Sequence, residues 1–147
     1  MRIAIASDHG GYHLKAELVA LLTKLGHLCD DLGTHSADAV DYPDYARSVA
    51  QGVAEGAYDR GILVCGTGQG MAITANKVKG VRAAVCQDTY SARMSREHND
   101  ANVLCLGGRV LGSGVAEDVV KVWLEADFSS EQRHRRRLGK ISALEPR

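Results

Sequence analysis

The chain has 147 residues, 45% of them apolar and 24% charged, with 18 Lys+Arg against 18 Asp+Glu. That length suffices for one ordinary domain without a staple, and the composition is too apolar for wholesale disorder. A net charge of zero excludes a chain that coats nucleic acid or a membrane through its overall field, while leaving room for a local charged site.

Arg2 to Ser7 reads as a first strand. Leu14, Leu18, Leu21, Leu22 and Leu25 then recur at helical spacing, with Lys15, Glu17 and Lys24 on the other side and Gly26 as the stop. His27 to Leu32 is a weaker second strand. Asp41 caps the next helix, with Pro43 in its first turn and Tyr45, Ala46, Val49, Ala50 and Val53 as its apolar stripe. Ile62-Leu63-Val64-Cys65 is a continuous apolar run, as a central parallel strand covered on both faces requires. A glycine-rich loop, Gly66 to Gly70, leads into a helix over 71–77. Arg82 to Cys86 is a fourth strand, Asp88 caps a helix reaching His98, and Asn102 to Leu106 is a fifth strand. Ser113 caps a helix carrying Val115, Val119, Val120 and Trp123, and a basic helix spans about 130–142. Strands alternating with helices predict a five-stranded parallel sheet in a Rossmann-like α/β/α sandwich, read as one domain over 1–147.

The segment Met1 to Asp8 is too short for a secretory signal, and no stretch approaches about 18 apolar residues, so the expected compartment is the cytoplasm. Cys29, Cys65, Cys86 and Cys105 are widely spaced, which fits neither a zinc knuckle nor a disulfide framework. Free thiols are expected. Cys29, Cys86 and Cys105 lie inside strands and read as core.

In such sheets ligands bind beyond the carboxyl ends of the strands. There the sequence places Asp8-His9-Gly10-Gly11 and Cys65-Gly66-Thr67-Gly68-Gln69-Gly70, followed by His98-Asn99-Asp100 and by Arg109. The glycine loop is no P-loop, lacking a following Lys, and Met71 spoils a dinucleotide fingerprint. It is either a tight turn or an anion cradle at a helix start. Cys65 stands between strand and helix, where the helix dipole favours a thiolate able to move a proton. His9 and His13 are four apart without the Glu of a zinc-protease helix, so no metal is expected. Residues 131–147 hold six Lys and Arg against two Glu, so the neutral total hides a basic end. Arg133 and Arg137 share a helix face, either a solvated face or a bidentate phosphate clamp. No nucleic-acid motif accompanies them.

The segments Cys-Gly-Thr-Gly-Gln-Gly-Met-Ala-Ile-Thr-Ala-Asn-Lys (65–77), Ser-Asp-His-Gly-Gly (7–11) and Ser-Arg-Glu-His-Asn-Asp-Ala-Asn-Val (95–103) closely resemble the type B ribose-5-phosphate isomerases, a group that includes galactose- and allose-6-phosphate isomerases. The resemblance spans essentially the whole chain. It implies a metal- and coenzyme-free aldose–ketose isomerase that passes through an enediolate, acting in the non-oxidative pentose phosphate pathway. It implies a homodimer or tetramer with the site shared between subunits. Cys65 then matches the base that moves a proton between C1 and C2, and Thr67 and His98 match the ring-opening pair. Asp8, Tyr42 and Asn99 match hydroxyl contacts, and the backbone of Gly66, Gly68 and Gly70 matches an anion hole. His9, Arg109, Arg133 and Arg137 match phosphate ligands, with His98 and the last two arginines coming from the neighbouring subunit. Gln69 and Thr74 stand where the family often has small or aliphatic residues, which bears on loop packing. Cys65 places the chain in the cysteine-type branch. The alternatives are a six-carbon substrate, allose 6-phosphate or galactose 6-phosphate, and a non-catalytic phosphosugar- or nucleotide-binding module on the same fold.

Overall fold

Apolar runs alternating with amphipathic stretches give β1 (Arg2–Ser7), α1 (Tyr12–Lys24), β2 (Leu28–Asp31), α2 (Tyr42–Ala54), β3 (Arg60–Cys65), α3 (Gln69–Ala75), β4 (Ala83–Val85), α4 (Thr89–Glu97), β5 (Val103–Gly107), α5 (Ser113–Glu125) and α6 (Gln132–Ser142). The computed structural model describes residues 1–146. The strands form one five-stranded sheet in the order β2-β1-β3-β5-β4, every pair parallel.

Side chains alternate across each strand, so the sheet carries two cores. Ile3, Ile5, Ile62, Val64, Leu104 and Leu106 face α1, α4 and α5, where Leu18, Leu22, Ala92 and Trp123 pack. Ala4, Ala6, Leu63, Cys65 and Cys105 face α2 and α3, against Val49, Ala50 and Met71. Helices lie on one face when the chain steps towards β2 and on the other when it steps towards β4, as right-handed crossovers require. Helices α1 to α5, each following a strand, therefore run antiparallel to the strands. The loops after β1, β3 and β5 share the upper, carboxyl edge of the sheet, and the C-termini of the connecting helices lie at the lower edge.

Several boundaries differ from the sequence reading. α3 begins at Gln69 because Gly68, at φ 81°, turns the chain straight from strand into helix. Ser113 lies inside the first turn of α5, where Gly112 takes the cap position. Asp88 caps α4 as expected, accepting from the Ser91 N–H at 2.7 Å. Lys15 departs most. The leucine spacing put it on the solvated side of α1, yet it is 2% exposed, with Nζ 2.6 Å from both Asp31 carboxylate oxygens. Its long stem reaches the acid that ends β2, the edge strand, which helical periodicity alone does not encode.

Candidate active site

The chain reverses direction between β1 and β3, and β5 follows on the far side of β3. The three loops that meet there are packed backbone to backbone. The Gly108 N–H donates to the Cys65 carbonyl at 2.7 Å and the Arg109 N–H to the Gly66 carbonyl at 3.0 Å. A Cβ on Gly11 would sit 2.5 Å from the Val64 carbonyl oxygen, and one on Gly108 would sit 2.6 Å from that of Gly10. Only glycine permits this approach. Gly10, Gly11 and the 66–70 loop were legible as glycine-rich segments. The part of Gly108 in closing the site was not, because it depends on a contact across the sheet.

This packing gathers Asp8, His9, Tyr42, Cys65, Thr67, Arg109 and the glycine loop at the upper edge. Asp8 is 7% exposed and its carboxylate accepts from the Gly11 N–H at 3.1 Å. Cys65 is 5% exposed, and the Gly68 N–H donates to its Sγ at 3.1 Å. The Arg109 guanidinium lies over Gly66, and the Tyr42 ring lies against Gly70. The Thr67 hydroxyl accepts from the Gln69 N–H, and the Gln87 amide reaches the Thr67 carbonyl. His9 Nδ1 accepts from the Val40 N–H at 3.2 Å, which leaves Nε2 to carry the proton of a neutral ring.

The other three thiols are weaker acids than a free cysteine. Burial, with Asp31 and Asp30 nearby, pushes the Cys29 thiol up to about 11. Burial also raises Cys86, and raises Cys105 well above the ordinary range with the Cys65 and Cys86 sulfurs adding to it. Cys86 and Cys105 are fully enclosed, so the core reading holds for them, while Cys29 is half-buried at the rim.

The remaining candidates are elsewhere. His98 closes α4, and Asn99 follows it at the lower edge. β3 alone has six residues, so Cys65 and His98 stand roughly 20 Å apart along the strand direction. The turn at the lower edge is built with care. Asp100 takes φ 45°, and its carboxylate is gripped by Arg96 at 2.8 Å and Arg82 at 3.0 Å. Arg82 Nε also donates to the Asn99 carbonyl. α6 docks beside this turn, with the His134 ring 4.3 Å from that of His98 and His134 Nδ1 2.6 Å from the Ser129 hydroxyl. Arg133 and Arg137, both exposed, rise from the same helix. Arg133 meets Glu131 at 2.8 Å, and both side chains are more than half exposed, so that pair adds little stability. The sequence order suggested that His98 and Asn99 shared an edge with Cys65; the antiparallel run of α4 puts them at the opposite one. A 680 Å³ cavity also opens at the lower edge, lined by Lys77, Val81, Arg82, Asn99, Ile141 and Leu144.

Burial first, then the His98 ring and the Arg133 and Arg137 charges, holds His134 below the ordinary histidine value of 6.5, against an opposing pull from Glu131. A base depressed in the folded state adds stability that is complete above its unfolded value and is lost as pH falls through the folded one. The melting temperature is therefore expected to drop as pH falls below 6.5, and to drop less in His134→Asn. Equal pH slopes for the two proteins would mean that protonation of His134 does not weaken the docking of α6.

Among the described residues no three His, Cys, Asp or Glu side chains are grouped to hold a metal ion, and no helix is long and apolar enough to cross a membrane.

The family described as Ribose/Galactose Isomerase matches residues 3–141. The chain is 49% identical over 146 residues to ribose-5-phosphate isomerase B of Escherichia coli (strain K12), covering 99% of this chain and 97% of that one. It is 42% identical over 129 residues to the D-erythrulose-4-phosphate isomerase of Pectobacterium atrosepticum, covering 87% and 85%. The solved structure of Clostridium thermocellum ribose-5-phosphate isomerase B superposes with a TM-score of 0.96 at 55% identity, over 98% of this chain and 97% of that one. With the fold, the upper-edge loops and the full-length match in agreement, the chain belongs to the ribose/galactose isomerase family.

Proposed function

We propose that the protein interconverts ribose 5-phosphate and ribulose 5-phosphate at a site that two copies of the chain complete together. The observation that carries this reading is the division of the chemistry: Cys65 and Thr67 end one edge of the sheet, and His98 and Asn99 end the other. One chain cannot bring both to one small sugar; the lower edge of a second copy can supply what the upper edge lacks.

The reaction asks for three things. The furanose must open, so the anomeric O1–H loses a proton while the ring oxygen gains one; Thr67 and the neighbour's His98 are hydroxyl and imidazole groups suited to that exchange. The Cys65 sulfur then takes the proton from C2 of the open aldose and returns it to C1, with the hydroxyl proton passing from O2 to O1. The negative charge that builds on oxygen meets the backbone N–H groups of the 66–70 loop, a type of contact whose loss costs about 3–4 kcal/mol in other enzymes. Asp8, Tyr42 and the neighbour's Asn99 bind hydroxyls. His9 Nε2–H and Arg109 bind phosphate together with the neighbour's Arg133 and Arg137, and this remote binding places the reacting carbons.

Four free thiols suit a reducing compartment, which supports a cytoplasmic site of action. The relative named for D-erythrulose 4-phosphate makes sugar length the open variable within the same chemistry. The test is turnover of ribose 5-phosphate, allose 6-phosphate, galactose 6-phosphate and erythrulose 4-phosphate at matched concentrations, with EDTA present. Highest kcat/KM on ribose 5-phosphate is expected, unchanged by the chelator. Highest kcat/KM on another sugar would reassign the substrate, and binding without turnover of any would reduce the protein to a phosphosugar-binding module.

A further inference from the structure

We propose that Lys15 is a positioning residue for substrate binding, acting through the loop that carries the His9 contact; the proposal rests on the isomerase reading above. Lys15 Nζ donates to both Asp31 carboxylate oxygens at 2.6 Å and to the Thr34 carbonyl at 2.8 Å. Asp31 Oδ1 in turn accepts from the Gly33 N–H at 2.9 Å. The Ser7 N–H donates to the Gly33 carbonyl and the Thr34 N–H to the Ser7 carbonyl, so the tethered segment lies against the residue that precedes Asp8. Residues 35–39 then run exposed to Val40, whose N–H holds His9 Nδ1, and Tyr42 opens α2 against Gly70. The wall of the site is thus a short exposed loop fixed at two ends, and Lys15 adds to the Ser7 backbone bonds the side-chain tether at the end that no site residue touches.

Stability alone does not account for this arrangement. A buried ammonium loses its hydration, and a buried ion pair replaced by apolar groups of similar volume is often neutral or stabilising. What the ammonium does that an apolar side chain cannot is hold one carboxylate and one carbonyl at fixed positions together. It also starts one residue cluster from the site, since the Lys15 N–H bonds the Gly11 carbonyl at the mouth of α1. Freed from Nζ, the 35–39 loop regains backbone freedom, and closing it again on the sugar phosphate draws on binding energy. Ground state and transition state lose that energy alike, which raises KM and leaves kcat in place.

The test uses the intact enzyme in two variants. Lys15→Met leaves the Asp31 carboxylate without its ammonium. Lys15→Met/Asp31→Asn removes both charges and keeps an oxygen for the Gly33 N–H, so it answers for folding. The expected result for the double variant is a KM for ribose 5-phosphate raised about tenfold, the ratio that one lost charged hydrogen bond produces. Its kcat should stay within about threefold of the original, and native-state hydrogen exchange at the Val40 amide should be faster. An unchanged KM overturns the proposal, as does a raised KM with Val40 protection intact, or a fall in kcat alone. A parent enzyme inactive on every sugar phosphate overturns the isomerase reading instead, and the Val40 amide still decides whether Lys15 holds the loop.

Discussion

Cys65→Ala is expected to lower kcat for ribose 5-phosphate by about four orders of magnitude, the upper end of what a positioned acid–base group contributes. The large figure follows from the proposed role of one sulfur in both half-reactions, taking the proton from C2 and delivering it to C1. The side chain is 5% exposed at the last residue of β3, so water has no ready route to replace it. The substitution should leave the fold nearly intact. Cys65 shares one core cluster with Ala72, Met71 and Cys105, and the loss is one small buried atom rather than a branched side chain. Two measurements check it together. Solvent deuterium should cease to enter the sugar at C1 and C2, while affinity for the sugar phosphate, which the proposal gives to His9 and the arginines, should persist. Near-normal isomerisation by the variant would move the base to another residue, and Asp8, buried 7% exposed on the neighbouring strand end, would be the first to examine.

Much of this architecture was legible from the residue pattern. Continuous apolar runs such as Ile62 to Cys65 announce strands covered on both faces, and the return of Leu14, Leu18 and Leu22 announces a helix with one buried stripe. The upper-edge residues were legible for the same reason: strand ends followed by glycine are where a parallel sheet exposes its backbone. Lys15 was not, since a cation at helical spacing from leucines reads as solvent-facing until its acid partner, sixteen residues on, is placed beside it. The lower-edge turn was half-legible. His98, Asn99 and Asp100 stand out as a polar run after a helix, but their level in the sheet depends on the direction of α4, and the grip on Asp100 adds to its i,i+4 partner Arg96 a second arginine, Arg82, 18 residues away. The basic tail shows the same limit. Its spacing says that Arg133 and Arg137 share a face, and only the stacking of His134 on His98 says which edge that face serves.

The split between edges yields a sharper expectation than any single substitution. Cys65→Ala and His98→Ala proteins, each nearly inactive alone, are expected to regain activity when unfolded together and refolded as a mixture. On the proposed shared site, a mixed dimer has one site with both defects and one with neither, because the intact Cys65 of one chain would meet the intact His98 of the other. Random pairing makes half the dimers mixed, and half the sites in those are intact, so recovery should approach roughly a quarter of the activity of the unaltered protein. Two substitutions within the upper edge, Cys65→Ala with Thr67→Val, cannot complement in this way, since each chain's own site carries one of the two defects and a mixed dimer has no intact site. That pair is the control, and recovery there would mean that refolding itself, rather than shared sites, restored turnover. Absence of recovery in the first mixture, with mixed dimers verified by mass, would mean that His98 does not act in the neighbour's site. The Asp100 turn would then be a structural closure of α4, and ring opening would fall to the hydroxyl and carboxylate of the upper edge. Recovery near the expected fraction would instead fix the meaning of the lower edge: a cap, two gripping arginines and a docked helix that present one imidazole to a neighbour's sugar.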